Sequence, residues 1–196
     1  MKEYITQIFN ENGGIVKAAV LKEAGISYKS ILELMDAGDI ERVKNGYYML
    51  PGSTIKEEDL LLKYFPDGVL TMGSALYYYG YLEARPMCWS IAVSKNSSKS
   101  RFKQDYPLTE PYYTDNDVLS LGVSEIDFAG GKIKIYNRDR LICDVLKYEE
   151  RLERSDLRRA AFSYIEDDNK DINKLLMYAR KRRVLKKVQG MIGVWL

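Results

Sequence analysis

The sequence predicts an α+β protein. Within residues 1–52, three short segments of helical apolar spacing run into a strand–turn–strand pattern. From residue 53 to about 136, strand-like and helix-like segments alternate, and beyond Asn137 only helical periodicity remains. A chain of 196 residues suits one domain or two small ones. The change of pattern places the break at 52/53, giving domains 1–52 and 53–196.

Tyr4, Ile5, Ile8 and Phe9 share one helix face, which Asn12-Gly13-Gly14 terminates. Val16, Ala19, Val20 and Ala24 make a second helical face, ended by Gly25. Ser27 caps a third helix, whose core face is Ile31, Leu32, Leu34 and Met35 and which Gly38 stops. Ala24-Gly25-Ile26-Ser27 fits the turn of a helix-turn-helix. Ile40, Val43, Tyr48 and Leu50 then flank Asn45-Gly46, the pair preferred in a type I′ hairpin, and Pro51 ends the second strand. Three helices and a hairpin make the plan of an N-terminal winged helix-turn-helix.

Gly52-Ser53-Thr54 reads as a linker, with Ser53 or Thr54 capping a helix that runs to Tyr64. Val69 to Met72 is a strand, Ala75 to Gly80 a helix opened by Gly73-Ser74, and Cys88 to Val93 a second strand. Ser94 to Ser100 is a loop, with a short segment after Arg101-Phe102. Ile126 to Ala129 and Lys132 to Tyr136 alternate around Gly130-Gly131 as a hairpin. Asn137 or Asp139 caps a helix from Arg140 to Leu152, with Leu141, Ile142, Val145 and Leu146 inward. Two helices follow, Asp156 to Ile165 and Asp171 to roughly Lys187, the last with Leu175, Leu176, Ala179 and Val184 on its face. The second domain is therefore mixed α/β with a helical end.

Composition narrows the function. Hydrophobic residues make up 46% of the chain and the net charge is only +2, which argues against disorder. There is no histidine, so Ser-His-Asp and Cys-His nucleophiles, His-containing zinc sites and imidazole acid–base catalysis are excluded. Cys88 and Cys143 are too far apart for a zinc finger and read as two reduced thiols. No metal or cofactor is expected. The apolar stretches fall far short of the roughly 20 residues of a membrane span, and the charged start does not resemble a signal peptide. The expected location is the cytoplasm, with no membrane partner.

Charge is unevenly distributed. The net charge is −1 over residues 1–52, −1 over 53–140 and +4 over 141–196. From Ile172 onward there are seven basic residues and no acid. A winged helix-turn-helix binds duplex DNA by laying its third helix in the major groove. The exposed early positions of that helix are Tyr28, Lys29, Ser30 and Glu33. Lys29 would reach a guanine edge or a phosphate, Ser30 either, and Glu33 a cytosine amine. Arg42, Lys44 and Asn45 gather at the hairpin tip, where they would meet phosphate or the minor groove. Arg180, Lys181, Arg182, Arg183, Lys186 and Lys187 form a second basic set, read either as a nucleic-acid patch or as a solvated face that complements a helix C-terminus.

Three segments together resemble the AbiEi antitoxin family of type IV toxin–antitoxin (abortive infection) systems. They are the N-terminal segment with Gly25-Ile26-Ser27 and Arg42 to Tyr48, then Gly73-Ser74-Ala75-Leu76 leading to Gly80-Tyr81-Leu82, and then Asn137 to Leu146. The resemblance covers most of the chain. Departures are Asp139, where the family usually has Glu, and Leu141, where Thr is common. The resemblance implies an autorepressor that binds inverted repeats in its own promoter cooperatively while remaining monomeric in solution. It further implies that the C-terminal domain neutralises a nucleotidyltransferase toxin without a stable complex.

Two other readings belong to different classes. Gly73-Ser74 after a strand echoes a nucleotidyltransferase scaffold, but Ser90 and Ala92 stand where such an enzyme carries its metal-binding carboxylates. The sixteen tyrosines, many between 64 and 136, suit either core packing or the pocket of a ligand-sensing transcription factor. The balance favours a binding protein over an enzyme.

Overall fold

The computed structural model describes residues 2–54, 56–104, 106–128 and 131–193. The chain forms two compact units, Met1–Leu60 and Leu61–Leu196, and is α+β throughout. The division falls inside a helix, past the 52/53 break expected from the change of sequence pattern. Tyr64 and Phe65, at the end of that helix, belong to the second unit: Phe65 stacks near Phe102, and Arg101 donates to the Tyr64 carbonyl.

The first unit begins with α1 (Lys2–Glu11), β1 (Ile15–Lys17), α2 (Ala18–Glu23) and α3 (Tyr28–Asp36). It continues with β2 (Glu41–Lys44) and β3 (Tyr47–Met49). The strands form an antiparallel sheet in the order β1-β3-β2. Ile5, Ile8, Phe9, Val16, Leu21, Ile26, Ile31, Ile40 and Tyr48 form its core.

Three local expectations change here. Val16 is not helical but sits in β1, opposite Tyr48, because Gly13 and Gly14 turn the chain back in left-handed conformations. Leu32 is 42% exposed instead of buried, since Ile31, Leu34 and Met35 already occupy the inward side of α3. The hairpin is not type I′, which needs positive φ at both central residues. Only Gly46 has it (φ 76°), and an irregularity between Arg42 and Lys44 takes up the difference in register.

The second unit holds α4 (Glu57–Tyr64) from Leu61 onward, β4 (Val69–Leu70), α5 (Met72–Tyr78), β5 (Trp89–Ser94) and β6 (Thr109–Thr114). Then come α6 (Asn116–Leu119), β7 (Val123–Phe128), β8 (Gly131–Tyr136), α7 (Arg138–Lys147), α8 (Arg154–Glu166), α9 (Ile172–Arg182) and α10 (Leu185–Met191). The five strands make one mixed sheet in the order β6-β5-β4-β8-β7. The β4–β8 and β5–β6 pairs are parallel; β4–β5 and β7–β8 are antiparallel. The turn residue Gly130 lies outside the described residues.

The strand β6 has no clear signature in the sequence. Pro111 interrupts it and its residues do not alternate cleanly, which an edge strand tolerates because one side of its backbone goes unpaired. Asn137, not Asp139, caps α7 by accepting the Arg140 N–H. That helix stops at Lys147 and is followed by a short 3-10 turn, Glu149–Arg151. The final basic helix breaks in two at Arg183, whose backbone is left-handed (φ 60°).

Every residue of α7 from Asp139 to Leu146 is buried, and the helix packs on α5, α8, α9 and α10. Each of its two buried carboxylates accepts from two partners, while Nη2 of Arg140 and of Arg182 is buried without a hydrogen bond. Asp139 accepts from the Tyr164 hydroxyl (2.9 Å) and the Asp171 N–H (2.8 Å). Asp144 accepts from Arg140 Nε at 3.2 Å and from Arg182 Nε at 2.5 Å. Arg140 also donates to the carbonyls of Val118 and Leu121, which fastens the α6 segment. Gly122 lies against it: a Cβ there would come within 2.6 Å of Arg140 Cβ.

Arg138 and Tyr81 both donate to Asp167, each at 2.6 Å. Burial opposes ionisation of Asp167. Hydrogen bonds from Tyr81, from the backbone and side chain of Asn169 and from Arg138 outweigh it, holding the carboxyl down at about 2. No helix among the described residues is long and apolar enough to cross a membrane.

Asp144→Ala leaves two guanidinium groups buried without their carboxylate. It should cost roughly 3–5 kcal/mol, read as a fall in the urea midpoint. Asp167 ionises more readily folded than unfolded, so its contribution is complete above the ordinary carboxylate range near 4 and is lost as pH falls toward about 2. Thermal melts at pH 4 and pH 2 should therefore differ less for Asp167→Asn than for the unaltered protein.

Candidate nucleic-acid interface

In the first unit, two elements carry the predicted site. Ser27 has an extended backbone and accepts the Ser30 N–H at 3.1 Å, so α3 starts where a capping serine dictates. The two hydroxyls lie 2.9 Å apart, which ties Ser30 into the cap and away from a free reading role. Tyr28, Lys29 and Glu33 project outward, Tyr28 being 67% exposed. Lys29 Nζ and Glu33 lie one turn apart at 3.8 Å, a loose exposed pair that a phosphate can displace at little cost.

The second element is the sheet. Lys17 on β1 and Lys44 on β2 both face Tyr47 on the middle strand β3, in register. Their ammonium groups lie 5.5 Å and 5.7 Å from the Tyr47 ring centroid. The ring holds two like charges on one row by attraction to each, and so lowers the cost of placing them together. Arg42 donates to the Asn45 side chain at 2.6 Å, fixing both at the hairpin tip. The Ala18 N–H bonds to the Gly46 carbonyl, which ties the tip to the start of α2.

Lys17 was not among the residues expected from sequence. It sits beside Val16 in what reads as a helical stretch, and only the strand register reveals that it opposes Tyr47. Arg42 is bonded to Asn45, and Lys44 faces Tyr47 together with Lys17. This arrangement offers cationic donors at one sheet end and a polar, partly aromatic helix face, the equipment for phosphate contact and base-edge contact respectively.

The C-terminal basic set divides. Arg180, Lys181, Arg183 and Lys186 are exposed, and Arg180, Arg183, Lys186 and Lys187 line an open depression of about 450 Å³ with Val184 and Leu185. Arg182 is different. It is only 3% exposed and is locked to Asp144, so it is a core residue and is unable to meet nucleic acid. Helical periodicity explains this: Arg182 lies on the inward stripe of α9 with Leu175, Tyr178 and Ala179. Lys187 is half engaged, donating to the Leu146 carbonyl and pairing with Glu149, each at 2.9 Å. The left-handed Arg183 ends α9 and sends Lys186 and Lys187 into the separate helix α10.

On β5, Ser90 and Ala92 are both buried, and the Ser90 N–H donates to Ser74 Oγ at 2.8 Å. Ser74 thus joins α5 to the sheet. Tyr79, Tyr81, Tyr112, Tyr136 and Tyr164 each hydrogen-bond through the hydroxyl to another group of the fold, as core tyrosines do.

The chain has the fold of a crystal structure of the RV2827C protein from Mycobacterium tuberculosis. The TM-score is 0.64 at 14% sequence identity, over 93% of this chain and 74% of that one. No protein-family model matches the sequence, and no curated protein matches it.

The difference between Arg182 and its neighbours is open to measurement. Arg182→Ala should lower stability by roughly 1.5–3 kcal/mol through loss of a buried charged hydrogen bond. Replacing Arg180, Lys181 and Arg183 together by Ala should move the thermal midpoint little, because all three are solvated.

Proposed function

We propose that the first unit is a winged helix-turn-helix that binds duplex DNA, and that the chain is the autorepressing antitoxin of a type IV toxin–antitoxin system. The observation that supports DNA binding most directly is the Lys17–Tyr47–Lys44 row with Arg42 beside it. These groups meet phosphate while α3 presents Tyr28, Lys29 and Glu33 to base edges. Net charge over residues 1–52 is −1, so attraction comes from this local cluster and not from a general basic surface. Arg180, Lys181, Arg183 and Lys186 supply further phosphate contacts that strengthen cooperative occupancy of inverted repeats.

The antitoxin reading rests on the three sequence segments that resemble the AbiEi family. Under it, a cytoplasmic chain, monomeric when free, represses its own promoter through the first unit. The second unit counters a nucleotidyltransferase toxin without forming a stable complex, and the protein itself is not an enzyme.

Titrations of the protein against DNA from upstream of its own gene test the first part. Arg42→Ala, Lys44→Ala and Lys17→Ala should each weaken binding across sequences and reduce the salt slope by about 1. Lys29→Ala should cost roughly 1–3 kcal/mol on the specific site alone. Unchanged binding in all four sinks the DNA reading. For the second part, the full chain should rescue cells arrested by the nucleotidyltransferase encoded beside it. Arg42→Ala should retain that rescue while losing promoter repression, and arrest that persists with the full chain present overturns the antitoxin reading.

A further inference from the structure

We propose that Leu32 is a specificity residue, whose methyl groups contact the C5-methyl of thymine in the major groove. The inference deepens the DNA-binding reading and rests on it.

Leu32 is the anomaly of α3. Helical spacing assigns it to the core with Ile31, Leu34 and Met35, yet it is 42% exposed while Ile31 is 2% exposed. It lies one turn after Tyr28, so the two share a row on the outward face. Lys29 and Glu33 form the adjacent row and pair with each other. Next to them, Ser30 is bound into the Ser27 cap. In mid-helix the outward face therefore offers one neutral, apolar side chain beside the charged Lys29 and Glu33.

The chemistry of the groove then selects the ligand. Base edges in the major groove display nitrogen and oxygen donors and acceptors, with one apolar group, the thymine methyl. Leucine has no polar atom and gains nothing from the others, so burial against that methyl is the favourable contact open to it. Tyr28, by contrast, carries a hydroxyl and suits a phosphate or an acceptor. Removing one methyl from such a contact corresponds to about a fourfold loss in affinity. Leu32 is thus expected to favour thymine at one or two positions of each half-site, while the cations of the sheet contribute no base preference.

The test uses the full chain. Duplexes are first selected from a randomised DNA library, and each thymine of the enriched site is then replaced singly by deoxyuridine, which removes the methyl and nothing else. The expected result is an approximately fourfold loss at one or two positions. Leu32→Ala should bind the unmodified site about fourfold more weakly and become insensitive to deoxyuridine at those positions. Alanine favours helix, so an exposed Leu32→Ala change should preserve α3. Lys17→Ala, which removes a phosphate contact of the sheet, should weaken binding yet keep the deoxyuridine response, which separates base reading from a general loss of affinity. An enriched site that tolerates deoxyuridine everywhere overturns the role of Leu32 and leaves DNA binding standing. So does a Leu32→Ala protein that keeps the wild-type response. A library from which no duplex is enriched overturns DNA binding and the role of Leu32 together.

Discussion

A single buried carboxylate, Asp144, ties helix α7 to its neighbours in the second unit. It lies in the middle of a fully buried helix and accepts from two guanidinium groups, Arg140 one turn before it and Arg182 on α9. Burial of a charge is costly unless it is paired and hydrogen-bonded, and here three charges share one site. Burial alone works against a charged Arg182, and the Asp144 carboxylate more than offsets it, raising its affinity for the proton. The consequences spread outward. Arg140 stacks over Tyr136 with 4.3 Å from guanidinium to ring centroid, and binds two carbonyls around α6. The Tyr136 hydroxyl donates to Leu119 in the same segment. One carboxylate thus connects α7 to α9 directly, and to β8 and the α6 segment through Arg140.

This arrangement changes what the basic C-terminal run means. Six cations in eight residues look like one electrostatic patch. Arg182 belongs to the core, Lys187 is held by Leu146 and Glu149, and the left-handed Arg183 divides the rest between two helices. The exposed cations form a smaller and more angular surface than a continuous helix would give. In the first unit the reverse occurs: strand pairing brings Lys17, distant in sequence, to Tyr47 beside Lys44, while Arg42 is held to Asn45 within the same hairpin.

Much of the architecture is legible from local signals. The serine cap of α3, the asparagine cap of α7 and the glycine stops around α1 and α3 act over three or four residues, and the sequence displays them directly. The Asn137–Asp144 segment that stands out as a motif also has a physical role at nearly every polar position. Asn137 caps, Arg138 binds Asp167, Asp139 joins α8 and α9, and Asp144 holds the arginines. Illegible features share a different cause. The strand β6 owes its existence to β5 beside it, β1 to pairing with β3, and the exposure of Leu32 to competition among four apolar residues for one inward face.

The sequence by itself determined the α+β class, most of the helices and both hairpins, the absence of histidine chemistry and the serine cap of α3. Each of these depends on composition or on residues within one turn of each other. Only the tertiary structure decided which charges face water. Arg182 and Lys181 are neighbours of the same sign, yet one is buried against a carboxylate and the other is solvated. Lys17 gains its place beside Tyr47 from a strand partner thirty residues away in the chain. Charge counts along a sequence record how many ions there are, whereas partners brought from elsewhere in the chain determine which of them remain available to bind.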